Sequence, residues 1–148
     1  GEADGVIIAG MGGLLTIRIL EAGEKNLKTV QTLVLQPQSE LEQVRKFLAG
    51  HGYRITADNM VLDEGKYYPM MRVEHGTQEN WEEQEYAFGK YLIAARNPVL
   101  LEFLKKEEKL CGEILSSLEG KSGEHIERRR AEVQEKKEKI RLAKEQMR

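Results

Sequence analysis

The fold prediction starts from the stretch D-G-V-I-I-A-G-M-G-G, Asp4–Gly13. It contains the wholly apolar run Val6–Ala9, which predicts a short strand buried on both faces, as is typical of parallel sheets. The turn Gly10–Gly13 follows, and Leu14–Leu20 has helical character. In α/β folds a strand, a turn and a helix in this order often bind a ligand, and glycines let the backbone approach that ligand closely.

The glycine turn matches neither of two common nucleotide-binding motifs. A dinucleotide-binding G-x-G-x-x-G motif is excluded because Leu15 stands where the third glycine belongs. A P-loop is excluded because no Gly-Lys-Ser/Thr sequence follows the turn. From these residues alone, a ligand site and a tight βα turn without a ligand both remain open.

A second strand and helix follow the first unit. The strand is predicted over Val30–Leu35 and ends before Pro37, because proline cannot donate a hydrogen bond to a neighbouring strand. The helix is predicted over Glu40–Leu48, and Ser39 with Glu42 is expected to form a capping box at its start.

Two further strands are predicted over Tyr53–Leu62 and Tyr67–Val73. They are joined by Asp63–Lys66, which predicts a hairpin turn because Gly65 tolerates a positive φ. Pro69 lies within the second of these strands and predicts a bulge. The resulting order, β-α-β-α-β-β, resembles the C-terminal half of a Rossmann-like methyltransferase sheet, whose last strand is antiparallel to the others.

The polar segment Gly76–Asn80 predicts a domain boundary, with an α/β domain over residues 1–76 and a helical domain over residues 77–148. A short helix is predicted over Glu82–Phe88, and Asn97-Pro98 is typical of the start of a longer helix. In the last helix, apolar residues recur every seven positions and predict a coiled-coil seam; they are Ile126, Val133, Ile140 and Met147. We expect the two long helices to pack as an antiparallel hairpin.

Charge is unevenly distributed along the 148 residues. Residues 121–148 carry ten Lys/Arg against six Asp/Glu, a balance of +4, so residues 1–120 carry −6 of the total of −2. A cationic tail on an anionic body is consistent with nucleic-acid contact. The candidate phosphate-binding residues are Arg128, Arg129, Arg130, Lys136 and Lys137, and the alternative is a solvated coiled-coil face with Glu–Lys pairs.

Residue types exclude several kinds of site. Cys111 is the only cysteine, which excludes an intramolecular disulfide and a cysteine-based zinc site. The three histidines, His51, His75 and His125, have no clustered partners, so we expect no metal site. No apolar run approaches the roughly 18 residues of a membrane span, and we expect a cytoplasmic protein without a signal peptide.

Four features in combination resemble the bacterial tRNA (adenine(22)-N1)-methyltransferase family. They are A-G-M-G-G at Ala9–Gly13, L-V-L-Q-P at Leu33–Pro37, the hairpin, and the Lys- and Glu-rich helical pair. The resemblance covers essentially the whole chain. It implies a Rossmann-like domain that uses S-adenosylmethionine, a C-terminal coiled coil, and tRNA as the substrate. The family's first strand and its cofactor-binding glycine loop have no counterpart here, so we expect a fragment that does not bind the cofactor alone.

The resemblance also implies roles for particular residues. The cofactor would be bound by Gly10, Met11, Gly12 and Gly13, and the substrate base by Gln36 and Pro37. The Gln36 amide offers both a donor and an acceptor to the Watson–Crick edge of a base. Because adenine N1 has a free lone pair, the reaction depends mainly on positioning, and no side chain is assigned as catalytic.

Two other functions remain open on the sequence. One is a non-catalytic interaction module, in which the helical hairpin binds a partner or RNA. The other is a different Rossmann-like enzyme that acts on DNA or on a small molecule.

Overall fold

The computed structural model describes residues 4–148, and residues 1–3 of the predicted α/β domain lie outside this range. The strands are β1 (Gly5–Met11), β2 (Thr32–Pro37), β3 (Tyr53–Asp63) and β4 (Lys66–His75). The helices are α1 (Gly13–Ala22), α2 (Glu24–Leu27), α3 (Leu41–Gly50), α4 (Glu83–Phe88), α5 (Lys90–Ala94), α6 (Pro98–Leu118) and α7 (Glu124–Gln146). Within residues 4–148 no helix combines the length and the apolarity that crossing a membrane requires.

The four strands form one mixed sheet in the order β1-β2-β4-β3. β1 and β2 are parallel, whereas β4 is antiparallel to both β2 and β3. This confirms the prediction of two parallel βα units followed by a hairpin whose last strand is antiparallel. The β3–β4 turn also forms as predicted, with φ of 78° at Gly65 and 48° at Glu64.

One hydrophobic cluster lies between a single face of the sheet and the helices α1 and α3. The fully buried side chains of Leu33, Leu35 and Val73 contribute from the sheet, and Val44 and Leu48 contribute from α3. Every second residue of β2 is buried, as expected of a strand whose one face is covered.

The outer edge and outer face of β1 are open. Ile8 is 7% exposed and joins the core, whereas Ile7 on the opposite face is 74% exposed. Within the described residues, the prediction that Val6–Ala9 is buried on both faces is therefore met on one face only. A free strand edge beside an exposed isoleucine is a surface on which further strands can pair.

The helices α6 and α7 form an antiparallel hairpin around a second hydrophobic cluster. Lys136 of α7 lies beside Glu107 of α6, and Arg130 contacts the carbonyl of Leu118, which fixes the antiparallel direction. Of the predicted seam, Val133, Ile140 and Met147 are buried. Cys111 of α6 is also buried, whereas its neighbour Leu110 is 46% exposed.

Three local predictions are wrong. The strand β2 begins and ends two residues later than predicted, so Pro37 is its last residue. The bulge lies between Ile55 and Ala57 of β3 and not at Pro69, which keeps its register opposite Met60 and lies beyond the part of β4 that pairs with β2. The capping box at Ser39 does not form, because Glu40 takes the position before α3 with a left-handed φ of 51°.

Candidate functional site

A cavity of about 560 Å³ lies at the carboxyl ends of β1 and β2, beside the start of β4. We call it the sheet-edge cavity. It is lined by Ala9, Gly10, Gln36, Pro37, Gln38, Lys66, Tyr67, Tyr68 and Pro69. The structure thus brings together Gly10 from the predicted cofactor segment and Gln36 and Pro37 from the predicted substrate segment.

Gly10 is the residue of the glycine turn that faces open space. Its φ is +75°, and a Cβ built on it would meet no atom within 4 Å. The regular pairing of β1 with β2 is interrupted at this point, between Ala9 and Met11. A positive φ favours glycine, and the missing side chain leaves room for a ligand to reach the backbone. These observations fit the prediction that this residue lies against a bound group.

Gly12 and Gly13 have different surroundings from Gly10, since they pack against the loop before α3. A Cβ on Gly13 would collide with the carbonyl oxygen of Ser39 and lie 2.8 Å from the Glu40 Cβ, and a Cβ on Gly12 would lie 3.2 Å from the Ser39 Oγ. The Gly13 N–H also donates a hydrogen bond to that Oγ, over 3.2 Å. This contact occupies the serine that was predicted to cap α3.

Met11 and Gln36 point in different directions. Met11 is half-buried and packs against the hydrophobic cluster of the sheet. Gln36 lies directly opposite Ala9 in the β1–β2 register and lines the sheet-edge cavity. Among residues 4–148 its side-chain amide has no hydrogen-bond partner, so both its donor and its acceptor are available to a ligand.

The sheet-edge cavity is poor in groups that transfer protons. Of its described lining residues, none is a carboxylate or an imidazole, and Lys66 is the one cation. His75 Nε2 is instead 2.8 Å from the Leu27 carbonyl oxygen, and His51 Nδ1 is 2.8 Å from that of Phe47. No group of His, Cys, Asp or Glu within the described part of the chain has the arrangement of a metal site.

The contribution of β4 to this cavity, which consists of Lys66, Tyr67, Tyr68 and Pro69, was not predicted from the sequence. The predicted hairpin contained enough information to find it. A strand that returns antiparallel beside β2 must start near the carboxyl end of β2, where Gln36 lies.

A second cavity, of about 630 Å³, lies between α3, β3 and α4 on one side and the α6–α7 hairpin on the other. We call it the helix cleft. At its base Arg45 donates hydrogen bonds to the carbonyls of Tyr86 (3.0 Å) and Ala87 (3.1 Å) at the end of α4. The Arg45 Nη2 lies 3.5 Å from the Asp58 Oδ1, and these two side chains are 1% and 0% exposed.

Burial dominates the electrostatics of this ion pair. It raises the pKa of the Asp58 carboxyl and lowers the pKa of the Arg45 guanidinium, and the attraction between the two charges opposes both shifts. Gly89, at φ +98°, lies directly against the pair, since a Cβ there would come within 3.2 Å of both side chains. The ion pair therefore fixes the break between α4 and α5.

Ion pairs between helices lie along the rim of the helix cleft. Lys139 of α7 pairs with Glu42 of α3 over 2.8 Å. Lys136 of α7 pairs with Glu107 of α6 over 3.3 Å. The charges that line this cleft thus largely compensate one another within the protein.

The predicted phosphate-binding residues of α7 fall into two groups. Arg130 is 26% exposed and donates to the carbonyls of Leu118 and Lys121, so it holds the turn between α6 and α7. Arg128 and Arg129 are exposed and make ion pairs of 3.5 and 3.8 Å within α7. Lys137 is exposed and has no ion-pair partner among the described residues.

A family profile and a related protein of known sequence both point to the same family. The sequence profile of the tRNA (adenine(22)-N(1))-methyltransferase family matches residues 1–145. The tRNA (adenine(22)-N(1))-methyltransferase of Bacillus subtilis strain 168 is 37% identical over 79 residues, which are 53% of this chain and 33% of that protein.

Two solved structures show the same fold. A protein of the NADB-Rossmann superfamily from Streptococcus agalactiae matches with a TM-score of 0.84 and 30% identity, over 95% of this chain and 59% of that one. Streptococcus pneumoniae Sp1610, solved in complex with S-adenosyl-L-methionine, matches with a TM-score of 0.81 and 30% identity over the same shares. The fold is therefore Rossmann-like, and the chain spans one third to three fifths of the relatives it matches.

Proposed function

Since the chain belongs to the tRNA (adenine(22)-N(1))-methyltransferase family, we propose that the full-length protein transfers a methyl group from S-adenosyl-L-methionine to N1 of adenine 22 in tRNA. The observation that carries the proposal is the sheet-edge cavity, in which Gly10 lies on one side and Gln36 on the other. The cofactor, when bound, supplies an electrophilic methyl group.

The composition of this cavity supports the reaction. Adenine N1 attacks with a lone pair in the plane of the ring, so no general base is needed, and none lines the cavity within residues 4–148. The chain's contribution is to hold the base in line with the methyl group, and a precise geometry of this kind can supply much of the rate enhancement. Gln36 orients the base through its free amide.

The environment of Gly10 supports the position of the cofactor. The open space above this residue fits a group that approaches the backbone closely. Gly12 and Gly13 act indirectly, since their contact with Ser39 fixes the loop that carries Gln38. Met11 packs against the hydrophobic cluster of the sheet and anchors the turn there.

The open side of β1 suggests where the rest of the cofactor site lies in the full-length enzyme. Ile7, Leu14 and Leu15 are 74%, 51% and 48% exposed, and all three lie in β1 or the first turn of α1. We place the additional strands of the full-length enzyme against the free edge of β1, next to these exposed side chains. In this arrangement residues 1–76 are part of the methyltransferase domain and residues 77–148 form a helical, coiled-coil domain.

The cationic end of the chain supports a role in holding the tRNA. Lys137 is exposed without an ion-pair partner in residues 4–148, and Arg128, Arg129 and Lys136 make only exposed or partly exposed pairs. Such pairs are weak and exchange readily for phosphate. Arg130 contributes by holding the turn.

The direct test is methyl transfer by the full-length protein from radiolabelled S-adenosyl-L-methionine to tRNA. The modified base is mapped by the arrest of reverse transcription, because a methyl group on N1 blocks Watson–Crick pairing. We expect an arrest at adenine 22 and no transfer to a tRNA that carries guanine there. Binding of tRNA without any methyl transfer would favour the interaction module instead.

A further inference from the structure

Two successive tyrosines of β4 lie on opposite faces of the hairpin and have different surroundings. The Tyr67 ring is held by the helical hairpin, with its centroid 5.1 Å from that of the Phe103 ring in an edge-to-face arrangement and the Lys106 ammonium 5.6 Å from its centre. The Tyr68 ring has no aromatic or hydrogen-bonded partner among residues 4–148. It is half-buried and lines the sheet-edge cavity.

The strand register puts Tyr68 on the same face as Gln36. Val34 of β2 lies directly opposite Arg72 of β4. Because side chains alternate between the two faces of a strand, Gln36, two residues after Val34, shares this face with Met70 and Tyr68. A second, shallower cavity on this face is also lined by both Gln36 and Tyr68. The Tyr68 ring and the Gln36 amide, both without a partner among residues 4–148, therefore lie on the same face of the sheet.

This pairing of groups suits a planar, heteroaromatic ligand. A purine has a π-face that stacks on an aromatic ring and an edge that exchanges hydrogen bonds with an amide. A base taken out of an RNA helix loses stacking with its neighbours, and a protein that binds it replaces this stacking with an aromatic or apolar surface. Within the described lining of the sheet-edge cavity, Tyr67 and Tyr68 are the aromatic residues, and the ring of Tyr67 is already packed.

We propose that Tyr68 is the stacking surface for the target adenine, while Gln36 contacts the edge of the same base. The inference rests on the proposed function, since it assigns a binding residue to that reaction. It requires the aromatic ring of Tyr68 and not its hydroxyl group. It also leaves cofactor binding at Gly10 independent of Tyr68.

The test compares four forms of the full-length enzyme: wild type, Tyr68→Phe, Tyr68→Leu and the matched control Tyr86→Leu. Tyr86 is also half-buried, but it packs against Trp81 outside the two cavities that Tyr68 lines. We expect Tyr68→Leu to lower kcat/KM for tRNA by about 10- to 100-fold, which is the loss expected for one stacked base. Tyr68→Phe and Tyr86→Leu should remain close to wild type, and KM for S-adenosyl-L-methionine should not change in any of them.

Thermal unfolding of each variant separates this effect from a loss of folding, and Tyr68→Met replaces Tyr68→Leu if the leucine variant unfolds. The inference is overturned if Tyr68→Phe loses as much activity as Tyr68→Leu, or if Tyr68→Leu and Tyr86→Leu behave alike. Absence of methyl transfer to adenine 22 by the wild-type enzyme would instead overturn the proposed function. The two failures are therefore distinguishable in one experiment.

Discussion

The sheet-edge cavity and the helix cleft are similar in size, about 560 and 630 Å³. They differ in whether the side chains that line them have partners within the protein. In the helix cleft, the charges of Arg45, Lys136 and Lys139 are matched by carboxylates of neighbouring elements. In the sheet-edge cavity, the Gln36 amide and the Tyr68 ring have no partner within residues 4–148. Charges that are paired between neighbouring elements indicate a structural junction, whereas an amide and an aromatic ring that face a cavity without a partner indicate a candidate ligand site.

The largest effect that this comparison predicts is on stability, at the base of the helix cleft. Asp58→Ala leaves the Arg45 guanidinium buried and without its counter-charge. We expect a loss of about 3–5 kcal/mol in the free energy of unfolding, measured by urea denaturation. The double variant Arg45→Met with Asp58→Leu should recover most of this loss, because an apolar pair needs no compensation. A stability of Asp58→Ala equal to wild type would show that the pair does not hold the junction.

The second prediction concerns activity at the sheet-edge cavity. In the full-length enzyme, Gly10→Val puts a β-branched side chain at a φ of +75° and into the space where the ligand approaches. We expect methyl transfer to fall by at least about 100-fold, since a displacement of about 1 Å at a reacting centre can cost this much. Circular dichroism should show that the fold is retained.

Its control is a glycine with a positive φ in an unrelated turn. Gly52→Val introduces the same side chain at a φ of +79°, in the turn between α3 and β3 and away from the sheet-edge cavity. If Gly52→Val reduces methyl transfer as much as Gly10→Val does, backbone strain explains the result and the cavity does not.

The sequence was sufficient for the order of the strands and of the longer helices, and for one side of the candidate site. The run Val6–Ala9 and the turn Gly10–Gly13 predicted β1 and the start of α1, because buried strands and glycine turns are determined by local composition. The short helices α2 and α5 were missed, because their four and five residues are too few to display a helical period.

The sequence could not separate the roles of the four residues in the glycine turn. Gly10 differs from Gly12 and Gly13 only because the loop at Ser39, 26 residues further along the chain than Gly13, packs against the latter two. The ion pair between Arg45 and Asp58 was missed for the same reason, since it depends on the packing of α3 against β3. Contacts between segments that are far apart in the sequence leave no local sequence pattern from which they could be predicted.

The third prediction tests whether the exposed cations Arg129 and Lys137 of α7 contribute more to tRNA binding than Arg141, which is exposed on the same helix but has two ion-pair partners. Reversing Arg129 and Lys137 to Glu in the full-length enzyme should weaken tRNA binding and flatten the log–log salt dependence by about 0.7–0.9 for each phosphate that the protein no longer neutralises. Arg141→Glu is a control that makes the same type of charge change elsewhere on α7, at a residue paired with Glu138 and Glu145. Filter binding at several salt concentrations measures both quantities. An unchanged affinity and an unchanged slope would favour a solvated face.

The smallest expected effect comes from a glycine that lies outside both cavities. Gly112 lies within α6, and a Cβ built on it would meet no atom within 4 Å beyond its own helix. Gly112→Ala should therefore stabilise the protein by about 0.5–1 kcal/mol, because alanine loses less conformational entropy in a helix. The melting temperature should rise by about 1–4 °C for a protein of this size, while methyl transfer and tRNA affinity stay at wild-type values. If the melting temperature rises but tRNA affinity falls, the α6–α7 hairpin must bend at Gly112 to bind RNA, and the glycines that matter for function are not confined to the sheet-edge cavity.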